Sequence, residues 1–341
     1  MAVKRQSPTS TAGADHGAGR EAIRKLLDDG SLPLAGCSGK FPRPPMPDRR
    51  TPYWLWPNLL SLDAPIVAVV WLTMFAKAWR VDYHQWQAYA ALGLGVWAIY
   101  LFDRLMDVKL LNPGDPRLGL RHEFIRRHEG IMKWVATFAL LACAGLALFT
   151  LPSELIGQNL LGGAQAQFGY VFPAMILVTA FFSMTVSSAG NPDIPHFRNI
   201  IAGLAFSYGT AMIAHVYIMT EGIWHLLLSP EMLTFALLCS LNISAIHFWE
   251  HSRGSRDPEV KAAHELALTL PLAVLGGASL LFARTDDETV VRPFFYAILV
   301  SAALLFIINR TRSRFSLDAL RVMADAAMVV PYPLFLAMSA R

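Results

Sequence analysis

KWVATFALLACAGLALFTL, residues 133–151, carries a single charge, at its first position, and is otherwise apolar or neutral. A helix needs about 20 mostly apolar residues to cross a hydrocarbon core of roughly 30 Å, so this stretch reads as a membrane span. Eight more stretches of the same kind flank it, at about 59–79, 85–102, 168–188, 199–220, 231–249, 264–283, 292–309 and 322–340. Those at 59–79, 199–220 and 322–340 carry polar or charged residues near an end. The expectation is an all-α, polytopic membrane protein with about nine transmembrane helices.

Composition agrees. Of 341 residues, 54% are hydrophobic and 16% charged, with a mean hydropathy of +0.40. Soluble domains carry about 25% charged residues, so an ordinary soluble enzyme, a disordered protein and a nucleic-acid-binding domain are all excluded. The net charge of +4 belongs to residues 1–57, which hold nine Lys/Arg and five Asp/Glu, while the remaining 284 residues balance at twenty of each sign. The chain thus divides into a basic tail, 1–57, and a nine-helix domain, 58–341. Pro42, Pro44, Pro45, Pro47, Pro52 and Pro57 make the second half of the tail extended. Glu21–Asp29 could form a short helix ended by Gly30, and the rest reads as disordered. No apolar run precedes Tyr53, which excludes a secretory signal. Cys37, Cys143 and Cys239 form no CxxC pair and imply neither a disulfide framework nor a zinc site.

Lys and Arg concentrate in cytoplasmic loops. Here 24 fall on the side of the N-terminus and five (Lys77, Arg80, Arg284, Arg292 and Arg341) on the other. Nine spans with a cytoplasmic N-terminus, in a bacterial inner membrane, fit that partition.

An ionisable side chain at membrane depth costs roughly 2.5–3.5 kcal/mol on insertion scales, and Asp63, Asp103, Asp107, Glu250 and Asp325 all lie near the inner ends of spans. Asp103 and Asp107, four apart, share one helix face. Two such carboxylates repel each other unless a cation or shared proton intervenes. They could bind a divalent metal, or simply mark a solvated helix end. The loop that follows holds Lys109, Arg117, Arg121, Arg126, Arg127, His122 and His128. This is either a cradle for a phosphate-rich ligand or the ordinary excess of inner positive charge. In the sixth span Asn242 and Glu250 are two turns apart, with His247 and His251 as an HxxxH around Glu250, and Asp257 follows. A second polar cluster, a histidine metal site, or histidines simply satisfied at the membrane interface would each account for them. Arg198 and Asn199 open the fifth span.

These residues resemble the UbiA-type intramembrane prenyltransferase superfamily, as a divergent member. Leu62-Asp63-Ala64-Pro65-Ile66 is similar to the Leu-Asp-Lys-Pro-Ile opening of the family's first helix, with Ala64 in place of lysine. Asp103-Arg104-Leu105-Met106-Asp107 looks like the Asp-Arg-x-x-Asp half of its first aspartate-rich motif. Pro195 through Gly209, with Arg198, Gly203, Phe206 and Gly209, looks like its fifth-helix pattern, although Arg198 stands where lysine is usual. Two departures stand out. Ile99 and Tyr100 occupy the positions of the motif's leading Asn-Asp, and Asn242, Glu250 and Asp257 replace the aspartates of the second motif.

The resemblance implies an integral-membrane transferase moving a prenyl group from a prenyl diphosphate to a lipophilic or aromatic acceptor with Mg²⁺. Asp103, Asp107 and Glu250 would be catalytic metal ligands, with Asp257 as a fourth. Arg104, Arg121, Arg126, Arg127, Arg198 and Asn242 would bind the diphosphate. Tyr100, Phe102, Phe206, Tyr208 and Trp249 would face an allylic cation. Partners would be the prenyl diphosphate, a hydrophobic acceptor and membrane lipids. The rivals are a non-catalytic, transport or lipid-binding protein on the same scaffold, and a membrane oxygenase using His122, His128, His247, His251 and His264.

Overall fold

A computed structural model describes residues 52–82, 84–110, 119–152, 155, 169–188, 195–218, 222–254, 257–285 and 291–339. Its helices are α1 (Trp56–Leu59), α2 (Asp63–Ala78), α3 (Trp86–Leu110), α4 (Leu120–Arg127), α5 (Glu129–Phe149), α6 (Val171–Ser188), α7 (Pro195–His215), α8 (Ile223–Leu228), α9 (Pro230–Gly254), α10 (Pro258–Arg284), α11 (Arg292–Thr311), α12 (Leu317–Val329) and α13 (Tyr332–Ser339). No strand occurs among the described residues. The tail reading over residues 1–51, with Glu21–Asp29 and Cys37, and the loop residue Arg117 lie outside the described residues.

Each expected span contains a helix. Five stretches are long and apolar enough to cross a membrane: Glu129–Phe149, Pro230–Ser252, Pro258–Arg284, Arg292–Arg314 and Leu317–Ser339. A sixth is added if the pair Tyr53–Leu59 and Asp63–Ala78, bent by 83°, counts as one. This is a helical, multi-pass membrane architecture. The helices that fall short do so for a chemical reason. Helix α3 carries Asp103, Arg104, Asp107 and Lys109, and α7 carries His196, Arg198, Asn199 and His215; both are diluted by polar residues. Helix α6 is apolar but short.

Burial separates the centre from the lipid face. In α9, 67% of the apolar window is buried, against 17% in α5. Ile131, Trp134, Phe138, Leu141, Leu148 and Phe149 of α5 all point outward. A soluble protein rarely tolerates such an apolar face, whereas hydrocarbon solvates it. The core stacks Trp71 on Phe235, with ring centroids 4.2 Å apart, and Phe294 edge-on at 5.4 Å. The Trp71 Nε1–H donates to the Met328 carbonyl at 2.9 Å, tying α2 to α12.

Two boundaries differ from the sequence reading. The tail ends earlier than 57, because Tyr53–Leu55 form a 3₁₀ turn leading into α1. Pro57 sits in the first turn of α1, where its missing N–H costs no hydrogen bond, so proline there starts a helix instead of extending the chain. Ser61, at φ 55°, makes the bend before α2, and Trp97 Nε1–H pins the bend by donating to the Leu60 carbonyl at 2.9 Å. The second boundary is in α3, which continues to Leu110 rather than stopping near 102, so Asp103 and Asp107 stand inside a helix. Helices α7 and α9 touch at Gly203. A Cβ there would come within 2.5 Å of the Ser240 backbone nitrogen, and only glycine allows that approach.

Candidate functional site

Six helices bring charged residues together at one end of the bundle: Asp63 from α2; Asp103, Arg104 and Asp107 from α3; Arg121 and His122 from α4; Arg198 from α7; Glu250 from α9; and Asp318, Arg321 and Asp325 from α12. Alternation of helix direction puts the starts of α2, α7 and α12 beside the ends of α3 and α9. Helix α4 is too short to span anything and lies across this end. Its residues Arg121, His122 and Ile125 are buried while Glu123 and Arg127 face out.

The first motif is held loosely. Arg198 donates to Asp103 Oδ1 at 3.1 Å. Asp107 Oδ2 lies 3.9 Å from Arg104 Nη1 and 3.9 Å from His122 Nε2, beyond hydrogen-bond range. His122 Nδ1 accepts from the Gly119 N–H at 3.1 Å, so in the neutral ring the proton sits on Nε2, toward Asp107. Burial pushes the pKa of His122 below its ordinary 6.5, outweighing the upward pull of Asp107.

Glu250 is held tightly. Its Oε1 accepts from Arg321 Nη2 at 2.5 Å and Arg321 Nε at 3.2 Å, with Arg121 Nη2 at 3.7 Å. Arg321 is 0% exposed, and its remaining Nη1–H donates to Asp318 Oδ1 at 2.9 Å. Gly119 leaves room for it, since a Cβ there would lie 2.6 Å from Arg321 Nη1. On the far side of Arg104, Asp63 accepts from Asn58 Nδ2 at 2.7 Å and faces the Asp325 carboxyl.

Three guanidiniums in this basin keep a buried donor unused. The Nε–H groups of Arg104, Arg121 and Arg198 have no partner among the described residues, and neither has Asn242 Oδ1. A buried donor left unmade costs about 1–3 kcal/mol, so orphans gathered in one place mark where a ligand's acceptors belong. Arg121 is 7% exposed.

The structure thus gathers Asp103, Asp107, Glu250, Arg104, Arg121 and Arg198 and sends other predicted residues elsewhere. Arg126 pairs with Glu123 on the outer surface of α4, and Arg127 is exposed on the same surface. Asp257 caps α10, its Oδ1 accepting from the Glu259 N–H at 2.8 Å. The Tyr208 hydroxyl donates to the Tyr170 carbonyl near the opposite end, and Trp249 Nε1–H to Asn309 Oδ1; both rings are core packing. Tyr100 meets the basin, with the Arg104 guanidinium 5.8 Å from its ring centroid. The rings of His247 and His251 lie 4.1 Å apart, tilted by 43°, with His196 6.0 Å from His247. Sequence reasoning missed Arg321, although Asp318 and Asp325, at i−3 and i+4, put one buried cation between two acids on a single helix face.

Among the described residues no three of His, Cys, Asp or Glu gather at metal-holding distance. The donor set suits Mg²⁺ at Asp103 and Asp107 only, since Mg²⁺ is usually held by one or two carboxylates and completes its shell with phosphate oxygens and water. Glu250 Oε1 is already taken by Arg321. No family model, curated protein or solved structure matches the chain.

Proposed function

We propose that this chain is a nine-span integral-membrane transferase that moves a prenyl group from a prenyl diphosphate to a lipophilic or aromatic acceptor, with its N-terminus in the cytoplasm. The supporting observation is the set of unused buried guanidinium donors of Arg104, Arg121 and Arg198 beside the Asp103–Asp107 pair, at one end of an apolar bundle. A diphosphate needs fixed donors, and a prenyl chain needs a dry interior. The resemblance of Leu62–Ile66, Asp103–Asp107 and Pro195–Gly209 to the UbiA-type superfamily points the same way.

In this reading the three guanidiniums take the diphosphate oxygens and stabilise the charge that grows there as the allylic C–O bond breaks, its electron pair leaving with the diphosphate. Asp103 and Asp107 would hold Mg²⁺, which when bound would further neutralise that leaving group. The bundle would exclude water from the allylic cation, and the Tyr100 ring would stabilise it. The acceptor's nucleophilic atom then bonds to the allylic carbon and loses its proton.

The test is binding of a labelled prenyl diphosphate to the full-length protein in detergent, with Mg²⁺, for wild type and Asp103→Ala. Binding that weakens at least tenfold in the variant supports the reading. Absence of binding at every chain length would leave a non-catalytic or lipid-binding protein on this scaffold.

A further inference from the structure

The two acidic positions of the basin are held in different ways, and that difference sets how many cations the site can take. Around Asp103 and Asp107 the partners are one hydrogen bond at 3.1 Å and two contacts at 3.9 Å. Arg198, which supplies the hydrogen bond, is 26% exposed and can swing away. Around Glu250 one fully buried guanidinium makes two hydrogen bonds to a single oxygen and is itself anchored by Asp318. Arg321 cannot leave without stranding its charge in the core, which costs several kcal/mol. The first pair is exchangeable and the second is locked.

Charge counting limits the ligand further. Arg104, Arg121, Arg198 and Arg321 face the carboxyls of Asp103, Asp107, Glu250 and Asp318, with Asp63 and Asp325 beside them, so the basin has no spare positive charge. A diphosphate, with about three negative charges, is repelled from such a site unless a cation enters with it.

Resting on the diphosphate reading above, we infer that the basin binds diphosphate and one divalent cation as a unit, the cation at Asp103 and Asp107, and that Arg321 takes at Glu250 the place a second cation would have. On entry the partners exchange. Asp103 and Asp107 turn from Arg198 and Arg104 to the cation, and the released guanidiniums turn to the diphosphate. Arg321 is a positioning residue that stays on Glu250 throughout. Each half of the ligand pays for the other's desolvation, so either alone binds weakly.

The experiment is Mn²⁺ binding to the full-length protein in detergent, read by electron paramagnetic resonance, with and without inorganic pyrophosphate. The expected result is about one Mn²⁺ per chain, bound at least tenfold more tightly when pyrophosphate is present. Pyrophosphate in EDTA should bind at least tenfold more weakly than with Mn²⁺. Glu250→Gln should leave the count at one. Arg321→Met, where it folds, should raise it to two by releasing Glu250. Two Mn²⁺ per wild-type chain, wild-type pyrophosphate affinity in EDTA, or loss of the single Mn²⁺ in Glu250→Gln would each overturn the single-cation arrangement while leaving the diphosphate reading standing. Failure of pyrophosphate to bind with or without Mn²⁺ would instead bring down the diphosphate reading itself.

Discussion

Helix α7 joins two buried polar regions that are built differently. At its start Arg198 belongs to a network of guanidiniums and carboxylates. Seventeen residues later, roughly 25 Å along the axis, His215 lies fully buried at its end. There Tyr170 Oη meets His215 Nδ1 at 3.0 Å, His215 Nε2 meets His225 Nδ1 at 3.2 Å, and the edge of Trp79 packs on the imidazole with centroids 5.4 Å apart. Imidazole and phenol can satisfy one another without net charge, and this end, where the buried carboxyl of Glu231 also lies beside His225 and Trp79, is closed by its own hydrogen bonds. The Arg198 end has the opposite property. Its charges require partners, several of those partners are distant, and three donors remain unused. A region of exchangeable partners can take an ionic ligand, while a self-satisfied one serves to close the bundle.

Removing the central cation tests the comparison most severely. Arg321→Met strands Glu250 and Asp318 and should cost about 3–5 kcal/mol, seen as a lower unfolding temperature in detergent. A cost below about 1 kcal/mol would mean that this end is not ionic in the sense argued. At the other end His215→Phe deletes hydrogen bonds between uncharged groups and should cost about 1–3 kcal/mol. It should leave pyrophosphate binding with Mn²⁺ at the wild-type level, and a tenfold loss would show that the two ends are coupled.

The smallest effect expected is a pH dependence from His122. Its folded-state pKa is depressed below 6.5 by burial, so the folded protein favours the neutral ring. Between that depressed value and 6.5 the unfolded chain binds more protons. Stability is therefore full above about 6.5 and declines as the pH falls below it. Thermal unfolding in detergent across pH 7.5 to 5 should show the decline, and His122→Gln should flatten it. An unchanged slope in the variant would assign the dependence to another group.

Much of this was legible along the chain because it depends on local pattern. The apolar windows mark the helices, and the spacing of Asp103 and Asp107 puts them on one face of α3. Arg104, Arg121 and Arg198 could be picked out as ionic residues near span ends. Arg126 and Arg127 could not be separated from Arg121, because eight residues of helix with charge on every side do not say which face meets the bundle. That choice belongs to α4 packing through Ile125 against Leu101, Leu105 and Met132. Asp257 was expected as a ligand through the family resemblance, and its position directly before Pro258 and Glu259 was the local sign of a helix cap.

By itself the sequence determined the all-helical class and the order of the apolar segments, since both follow from hydrophobic length that neighbours cannot alter. Tertiary structure alone decided which acid meets which base. Glu250 and Arg321 lie 71 residues apart, and the packing of α9 against α12 brings them to 2.5 Å. Ion pairing falls off over a few ångströms in a medium where helices sit about 8–10 Å apart. The packing of the helices thus turns an expected metal ligand and an arginine that drew no notice in the sequence into a locked pair.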